Sequence, residues 1–214
     1  SKHISKSKSC FSSFKKLNIL KLMRNFIVIL FCIFFVNNQS YSQELKKTYF
    51  GGGCFWCMEE SFDKVDGVIN VVSGYSGGTK PNPTYKEVTY GDTGHIEVVE
   101  ITYDTKKISF AELLNIFWKN IDPFDATGQF CDKGFSYKSV AFYMNDNQKK
   151  LIEKSVKAIE NDFNNKVVTF VKKFEKFYPA EDYHQNYYQT NFINYLLYKK
   201  GCGRESRLEN IWQQ

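Results

Sequence analysis

Three consecutive glycines, Gly51-Gly52-Gly53, stand between an alternating stretch and a run with helical spacing, and they limit the local fold more sharply than anything else in the chain. Leu45 to Phe50 alternates as a strand does. Phe55, Met58, Phe62 and Val65 then recur at helical spacing until Asp66-Gly67. A glycine turn between the two places Cys54 at the helix N-terminus, where unsatisfied amides and the helix dipole favour an anion. The Cys54 thiol is therefore expected to have a lowered pKa and to act as a nucleophile. Cys57, three residues on, shares its helical face and comes within disulfide reach. The residues between them, Phe55 and Trp56, form an aromatic wall, which suits an apolar substrate group better than a protein disulfide. No second C-x-x-C or Cys/His pair completes a zinc site, so no metal is expected. None of the four prolines precedes a strand as a thioredoxin-like fold would need.

Charge has to be read by segment. The 214 residues carry 29 basic and 23 acidic groups, a formal charge of +6. Residues 1–42 hold seven of the basic groups and no acidic one, which leaves 22 against 23, or −1, in residues 43–214. The electrostatic case for nucleic-acid binding therefore disappears in the remainder. Residues 1–42 read as a leader. A signal peptide begins at Met23 behind a non-native extension, with Arg24 as the positive region, Phe26 to Val36 as the apolar region and Ser40-Tyr41-Ser42 as the cleavage site before Gln43. Eleven apolar residues are too few to span a bilayer, for which about 20 are needed. The expectation is an exported protein, periplasmic or secreted, with no membrane span once the leader is removed. Cys10 and Cys32 leave with the leader, so Cys54, Cys57, Cys131 and Cys202 remain.

Residues 43–214 read as a single domain. Val68 to Ser73 is a β-branched strand, Gly74 to Thr84 a Gly- and Pro-containing loop, and His95 to Tyr103 an alternating strand. Ser109 to Glu112 fits a capping box opening a helix with Leu113, Leu114, Phe117 and Trp118. A polar segment from Asp122 to Lys138 is long enough to suggest a functional loop, and it leads into a strand from Ser139 to Met144. The order β-α-β-β-α-β predicts an α+β, two-layer sandwich of the ferredoxin-like, split βαβ kind. A helix (Asp146 to Phe163), a strand (Val167 to Phe174) and an irregular, partly helical C-terminal segment are appended.

The stretch GGGCFWCMEESF resembles the active-site segment of the A-type peptide-methionine (S)-S-oxide reductases. The resemblance continues in order through VINVVSGYSGG (68–78), NPTY (82–85), GHIE (94–97), GQFCDKGFSYK (128–138) and FYPAEDYHQNYY (177–188), and covers essentially residues 47–211. It implies a thiol-dependent oxidoreductase that repairs methionine-(S)-sulfoxide, free or in proteins, under oxidative stress. No cofactor is implied beyond an external, thioredoxin-like dithiol, and nothing requires more than a monomer.

The resemblance also implies roles. Cys54 attacks sulfur, while Glu97 is the acid that protonates the sulfoxide oxygen, kept neutral by an apolar pocket. Tyr85 and Tyr137 match the family's oxygen-binding tyrosines, and Asp132 a position beside the substrate. Phe55 and Trp56 would enclose the terminal methyl group, whose burial is worth about 0.8 kcal/mol. His95 and His184 invite a Cys-His reading, but the chemistry needs neither as a base. Attack leaves a sulfenic acid on Cys54 that a second thiol must resolve. Cys57 is the preferred resolver because a C-x-x-C pair needs no large motion. Cys202, between two glycines, is the second candidate, and the part played by Cys131 is open. Two other readings compete: a thiol-disulfide oxidoreductase, and a secreted binding module with a structural C-x-x-C. Formation of methionine from its sulfoxide separates them.

Overall fold

The computed structural model describes residues 43–213, so the leader reading falls outside the described residues. Strand β1 (Leu45–Gly51) runs through the three glycines into helix α1 (Phe55–Asp63), and β2 (Val68–Ser76) follows. After helix α2 (Tyr85–Tyr90) come β3 (Ile96–Asp104) and α3 (Phe110–Lys119). A two-residue hairpin, β4 (Gly128–Gln129) and β5 (Asp132–Lys133), precedes β6 (Val140–Tyr143), α4 (Asp146–Phe163), β7 (Phe170–Lys173) and β8 (Phe177–Pro179). Helices α5 (Tyr187–Thr190), α6 (Phe192–Gly201) and α7 (Arg204–Trp212) end the described chain.

Six strands form one mixed sheet in the order β7-β6-β1-β3-β2-β8. All neighbours are antiparallel except β6 and β7. The first four long strands therefore lie in the order β6-β1-β3-β2, with α1 and α3 as the connections that return the chain to the sheet. Register decides the chemistry, because side chains alternate faces along a strand. Tyr75 of β2 lies opposite Glu97 of β3, and Phe50 of β1 opposite Val99. The core fills the space between sheet and helices. Phe50, Phe62 and Phe117 are completely buried, and the Phe50 ring lies 4.7 Å from Phe117 and 5.8 Å from Phe62. Such aromatic pairs add about 0.5–1.5 kcal/mol each to their burial. The Ser109–Glu112 capping box forms as its spacing predicts, with the Glu112 N–H on the Ser109 hydroxyl and the Ser109 N–H on the Glu112 carboxylate.

Three parts depart from the sequence expectation. The loop after β2 ends in α2, opened by a second capping box between Thr84 and Glu87 that the short run of residues concealed. The polar segment 122–138 contains the β4–β5 hairpin and a single 3₁₀ turn, Phe135–Tyr137. The C-terminal segment, expected to be irregular and helical in part, is mostly helical, with three helices, and β8 precedes it. Strand β8 has only three residues and exists because the edge of β2 offers it partners, at Gly74, Tyr75 and Ser76. The helices pack over α1 through its acidic residues. The Asn186 N–H donates to Glu59 at 2.9 Å, the Tyr195 hydroxyl to Glu60 at 2.5 Å, and the Tyr188 hydroxyl to Asp63 at 2.5 Å. No helix among the described residues is long and apolar enough to cross a membrane.

Candidate active site

The glycine turn delivers what the sequence implies at backbone level. Gly53 has φ +78°, and a Cβ there would lie 2.6 Å from the Gln129 side chain, so both its conformation and its neighbour require glycine. A Cβ on Gly51 would meet the Glu97 carbonyl at 2.7 Å. The turn thus brings the start of α1 directly against β3. Cys54 is the residue immediately before the helix, and its carbonyl accepts from the amides of Cys57 and Met58 at 3.1 and 3.3 Å.

Cys54 opens onto a small cavity of about 70 Å³ lined by Phe55, Trp56, Tyr85, Glu97, Asp132, Tyr137 and Tyr198. Every residue proposed from the sequence for chemistry or substrate contact, apart from the resolvers, is on this list. The volume admits a group of only a few heavy atoms. Phe55 is buried against Tyr75, Tyr85 and His184. Trp56 stacks on Tyr187 at 3.8 Å and donates its indole N–H to His184 Nδ1 at 3.2 Å. His184 therefore orients the aromatic wall, and burial pushes its imidazole down toward the neutral form. His95 is a structural histidine that receives the Gly78 amide and meets the Lys80 carbonyl.

Glu97 is 2 % exposed and accepts the Phe55 N–H at 3.0 Å. Burial holds its carboxyl well above the usual carboxylate range, against the opposing effect of that hydrogen bond. The Asp132 carboxylate and Cys57 raise it further. Such a site favours the neutral, protonated carboxyl over the carboxylate. Tyr85 and Tyr137 interact with each other and face Glu97, and burial raises both phenols, so both remain O–H donors. The Thr84 cap sets Tyr85, whose amide donates to Glu181 at 2.8 Å while Glu181 also accepts the Tyr75 hydroxyl at 2.8 Å.

Cys54 corrects the sequence expectation. Its thiol is pushed well above its ordinary value, first by burial and then by Cys57, Glu97 and Asp132. The main reason is burial: the thiol is enclosed by the fold, with Cys57 and two carboxyl groups close by. Glu97 also accepts the Phe55 N–H at the start of α1. The Cys57 thiol shifts the other way, lowered to about 7 by the hydrogen bond with Cys54, by the Arg204 charge and by the Tyr195 hydroxyl. Arg204 is 3 % exposed and donates to the carbonyls of Gly52 and Asn120 and to the sulfur of Met58. No carboxylate pairs with it among the ion pairs of the described residues.

Asp132 does not point free toward solvent. It accepts the Tyr198 hydroxyl at 2.5 Å, and Tyr198 of α6 is the cavity residue that the sequence reading missed. With 14 tyrosines in the chain, nothing local distinguished it. Cys131 and Cys202 are joined to each other, with sulfurs 2.03 Å apart. Cys202 is therefore not available to attack Cys54 in this state, whereas Cys54 and Cys57 are both free and buried.

The family model described as peptide methionine sulfoxide reductase matches residues 46–214. A Listeria innocua protein named peptide methionine sulfoxide reductase MsrA is 46 % identical over 173 residues, covering 80 % of this chain and 98 % of that one. A Staphylococcus aureus MsrA 2 is 46 % identical over 163 residues, covering 75 % and 92 %. The reduced form of Mxr1 from Saccharomyces cerevisiae superposes with a TM-score of 0.65 at 30 % identity, over 72 % of this chain and 91 % of that one. Methionine sulfoxide reductase A of Corynebacterium diphtheriae gives 0.64 at 29 %, over 71 % and 77 %. With a buried carboxyl, two phenols and an aromatic wall gathered around one buried cysteine, and with similarity along nearly all of residues 43–214, the chain belongs to the peptide methionine sulfoxide reductase family, as an oxidoreductase of the MsrA type.

Proposed function

We propose that the enzyme reduces methionine-(S)-sulfoxide, free or in proteins, with Cys54 as nucleophile, Glu97, Tyr85 and Tyr137 as donors to the oxygen, and Cys57 as resolver. One observation carries this reading: Cys54, a buried Glu97 whose carboxyl burial raises and two phenols share a cavity sized for a methyl sulfoxide. The sulfoxide sulfur bears partial positive charge, so its approach favours the thiolate on Cys54, and Cys57, whose thiol is lowered beside it, takes the Cys54 proton when ionised. The Cys54 thiolate attacks sulfur as Glu97 protonates the oxygen and the phenols hold it. Oxygen passes to Cys54 as sulfenic acid and the thioether leaves. Cys57 displaces water from the sulfenic acid to form the Cys54–Cys57 disulfide, and an external thioredoxin-like dithiol takes over that disulfide. Each turnover thus converts one sulfoxide and one dithiol into one thioether, one water and one disulfide.

The test is a single turnover without reductant, followed by disulfide mapping. One methionine per enzyme and a Cys54–Cys57 linkage are expected, and Cys54→Ser should form no methionine. A Cys54–Cys202 linkage without Cys54–Cys57 would assign resolution to the second candidate. Methionine formation by Cys54→Ser at the wild-type level would exclude the nucleophile.

The strand order β6-β1-β3-β2 supports placing the inner sheet in the ferredoxin-like class. Export of a monomer through the leader is likewise our proposal, and Arg24, the apolar run and Ser40-Tyr41-Ser42 support it. Expression from Met23 in a bacterial host should give a periplasmic or secreted protein whose first residue is Gln43. An uncleaved cytosolic product counts against it.

A further inference from the structure

The disulfide and the cavity share two short stretches of chain. Cys131 immediately precedes Asp132, and Cys202 lies one helical turn beyond Tyr198, whose carbonyl accepts the Cys202 N–H at 2.9 Å. The bond therefore spans the same two elements as the hydrogen bond from the Tyr198 hydroxyl to Asp132. Cys131 adds a second link by donating its amide to the Cys202 sulfur at 3.2 Å. On one side is the tight β4–β5 hairpin, on the other the C-terminal end of α6, and 71 residues separate the cysteines. Tyr195 of α6 and Gln129, which pairs with Asp132 in the hairpin, are tied to other parts of the fold, through Tyr195 to Glu60 and through Gln129 to the Asp122 backbone. Near the cavity, the Tyr198–Asp132 contact and the disulfide hold them together. Cys131 is exposed and Cys202 partly so, so a dithiol in solution can reach the bond.

We propose that the Cys131–Cys202 disulfide is a clamp that positions Asp132 and Tyr198 as one wall of the sulfoxide pocket, so that its cleavage weakens substrate binding without removing the chemistry. Cleavage is an ordinary exchange: an external dithiol gives up two electrons and two protons, the S–S bond becomes two thiols, and the dithiol becomes a disulfide. Cys131 and Cys202 are then positioning residues. The clamp rests on the reading that Asp132 and Tyr198 contact substrate.

The test uses single turnovers without reductant, so that an intact clamp stays intact, and follows methionine formed from methionine sulfoxide. In the Cys131→Ser/Cys202→Ser variant, half-saturation should require about five- to tenfold more sulfoxide while each enzyme still forms one methionine at saturation. Tyr198→Phe should raise half-saturation in the clamped protein and add little in the clamp-free one, because coupled residues are non-additive. After turnover, the wild type should retain Cys131–Cys202 beside the new Cys54–Cys57 bond. If the double variant has wild-type half-saturation while Tyr198→Phe and Asp132→Asn raise it, the clamp is wrong and the wall stands. If neither Tyr198→Phe nor Asp132→Asn changes half-saturation, the wall reading fails and the clamp with it. A Cys54–Cys202 or Cys57–Cys202 bond in the mapped wild type would make the pair an exchange station instead and overturn the proposal.

Discussion

Glu97 pays for its chemistry in stability, and the sign of that cost can be worked out. Its carboxyl is raised in the folded state, so folding retains a proton that the unfolded chain has lost once pH exceeds about 4.5. The favourable contribution is complete below that pH and is lost as pH rises toward the folded pKa. Glu97→Gln keeps an oxygen for the Phe55 amide and removes the ionisation. Its unfolding free energy should exceed the wild type's by about 0.5–2 kcal/mol at pH 8 and by less at pH 4.5, measured by urea titration. The same change should lower kcat about 10²- to 10⁴-fold, since a general acid is lost. A wild-type loss of stability as pH falls toward 4.5, with no change in Glu97→Gln, would contradict this sign. At Cys57, thiolate absorbance or alkylation should titrate with a midpoint near 7, and Cys57→Ser should abolish that titration.

At the scale of elements, the start of α1 is where the fold is least forgiving. Gly53 combines φ +78° with a neighbour 2.6 Å from any Cβ, so Gly53→Ala should cost at least about 1–2 kcal/mol and lower activity by displacing Cys54. Thermal unfolding and single-turnover rate check the two effects separately. Helix α7 reaches the same turn through Arg204, which donates to Gly52, Met58 and Asn120. Arg204→Met strips donors from two carbonyls and should destabilise by about 1–3 kcal/mol for each one left unsatisfied. It should also raise the Cys57 titration midpoint, because the guanidinium charge favours that thiolate. An unchanged midpoint in a folded variant would show that the charge does not act on Cys57.

Over the whole molecule, the cross-link between residues 131 and 202 closes a long loop, and the chain-entropy model gives about 4 kcal/mol for a loop of that length. Reduced enzyme, or the Cys131→Ser/Cys202→Ser variant, should therefore unfold at lower denaturant than oxidised enzyme. A common midpoint for both forms would mean that the native contacts alone hold the C-terminal helices. Those contacts are numerous: Glu59, Glu60 and Asp63 of α1 each receive a donor from α5, α6 or the residue before them.

Local rules were enough for part of this molecule. The glycine turn, the helix behind it, the Ser109 cap and the alternating strands follow from steric freedom, spacing and capping within a few residues of each position. The motif resemblance added Glu97, Tyr85, Tyr137 and Asp132, which no local pattern distinguishes from surface residues. Three things needed the folded chain. Strand β8 and helix α2 are too short to carry a periodic signal, and their stability comes from distant partners. The Cys54 thiol is raised first by burial and then by Cys57, Glu97 and Asp132, and those carboxyls arrive from β3 and the β4–β5 hairpin, so the dipole argument alone gave the wrong direction. The pairing of Cys131 with Cys202 and the entry of Tyr198 into the cavity depend on how α6 packs, 71 residues beyond the hairpin it meets. The sequence by itself determined the glycine turn and the cysteine that follows it, because backbone sterics act between neighbours. Tertiary structure alone decided what surrounds that thiol, because burial, charge and contact act through space.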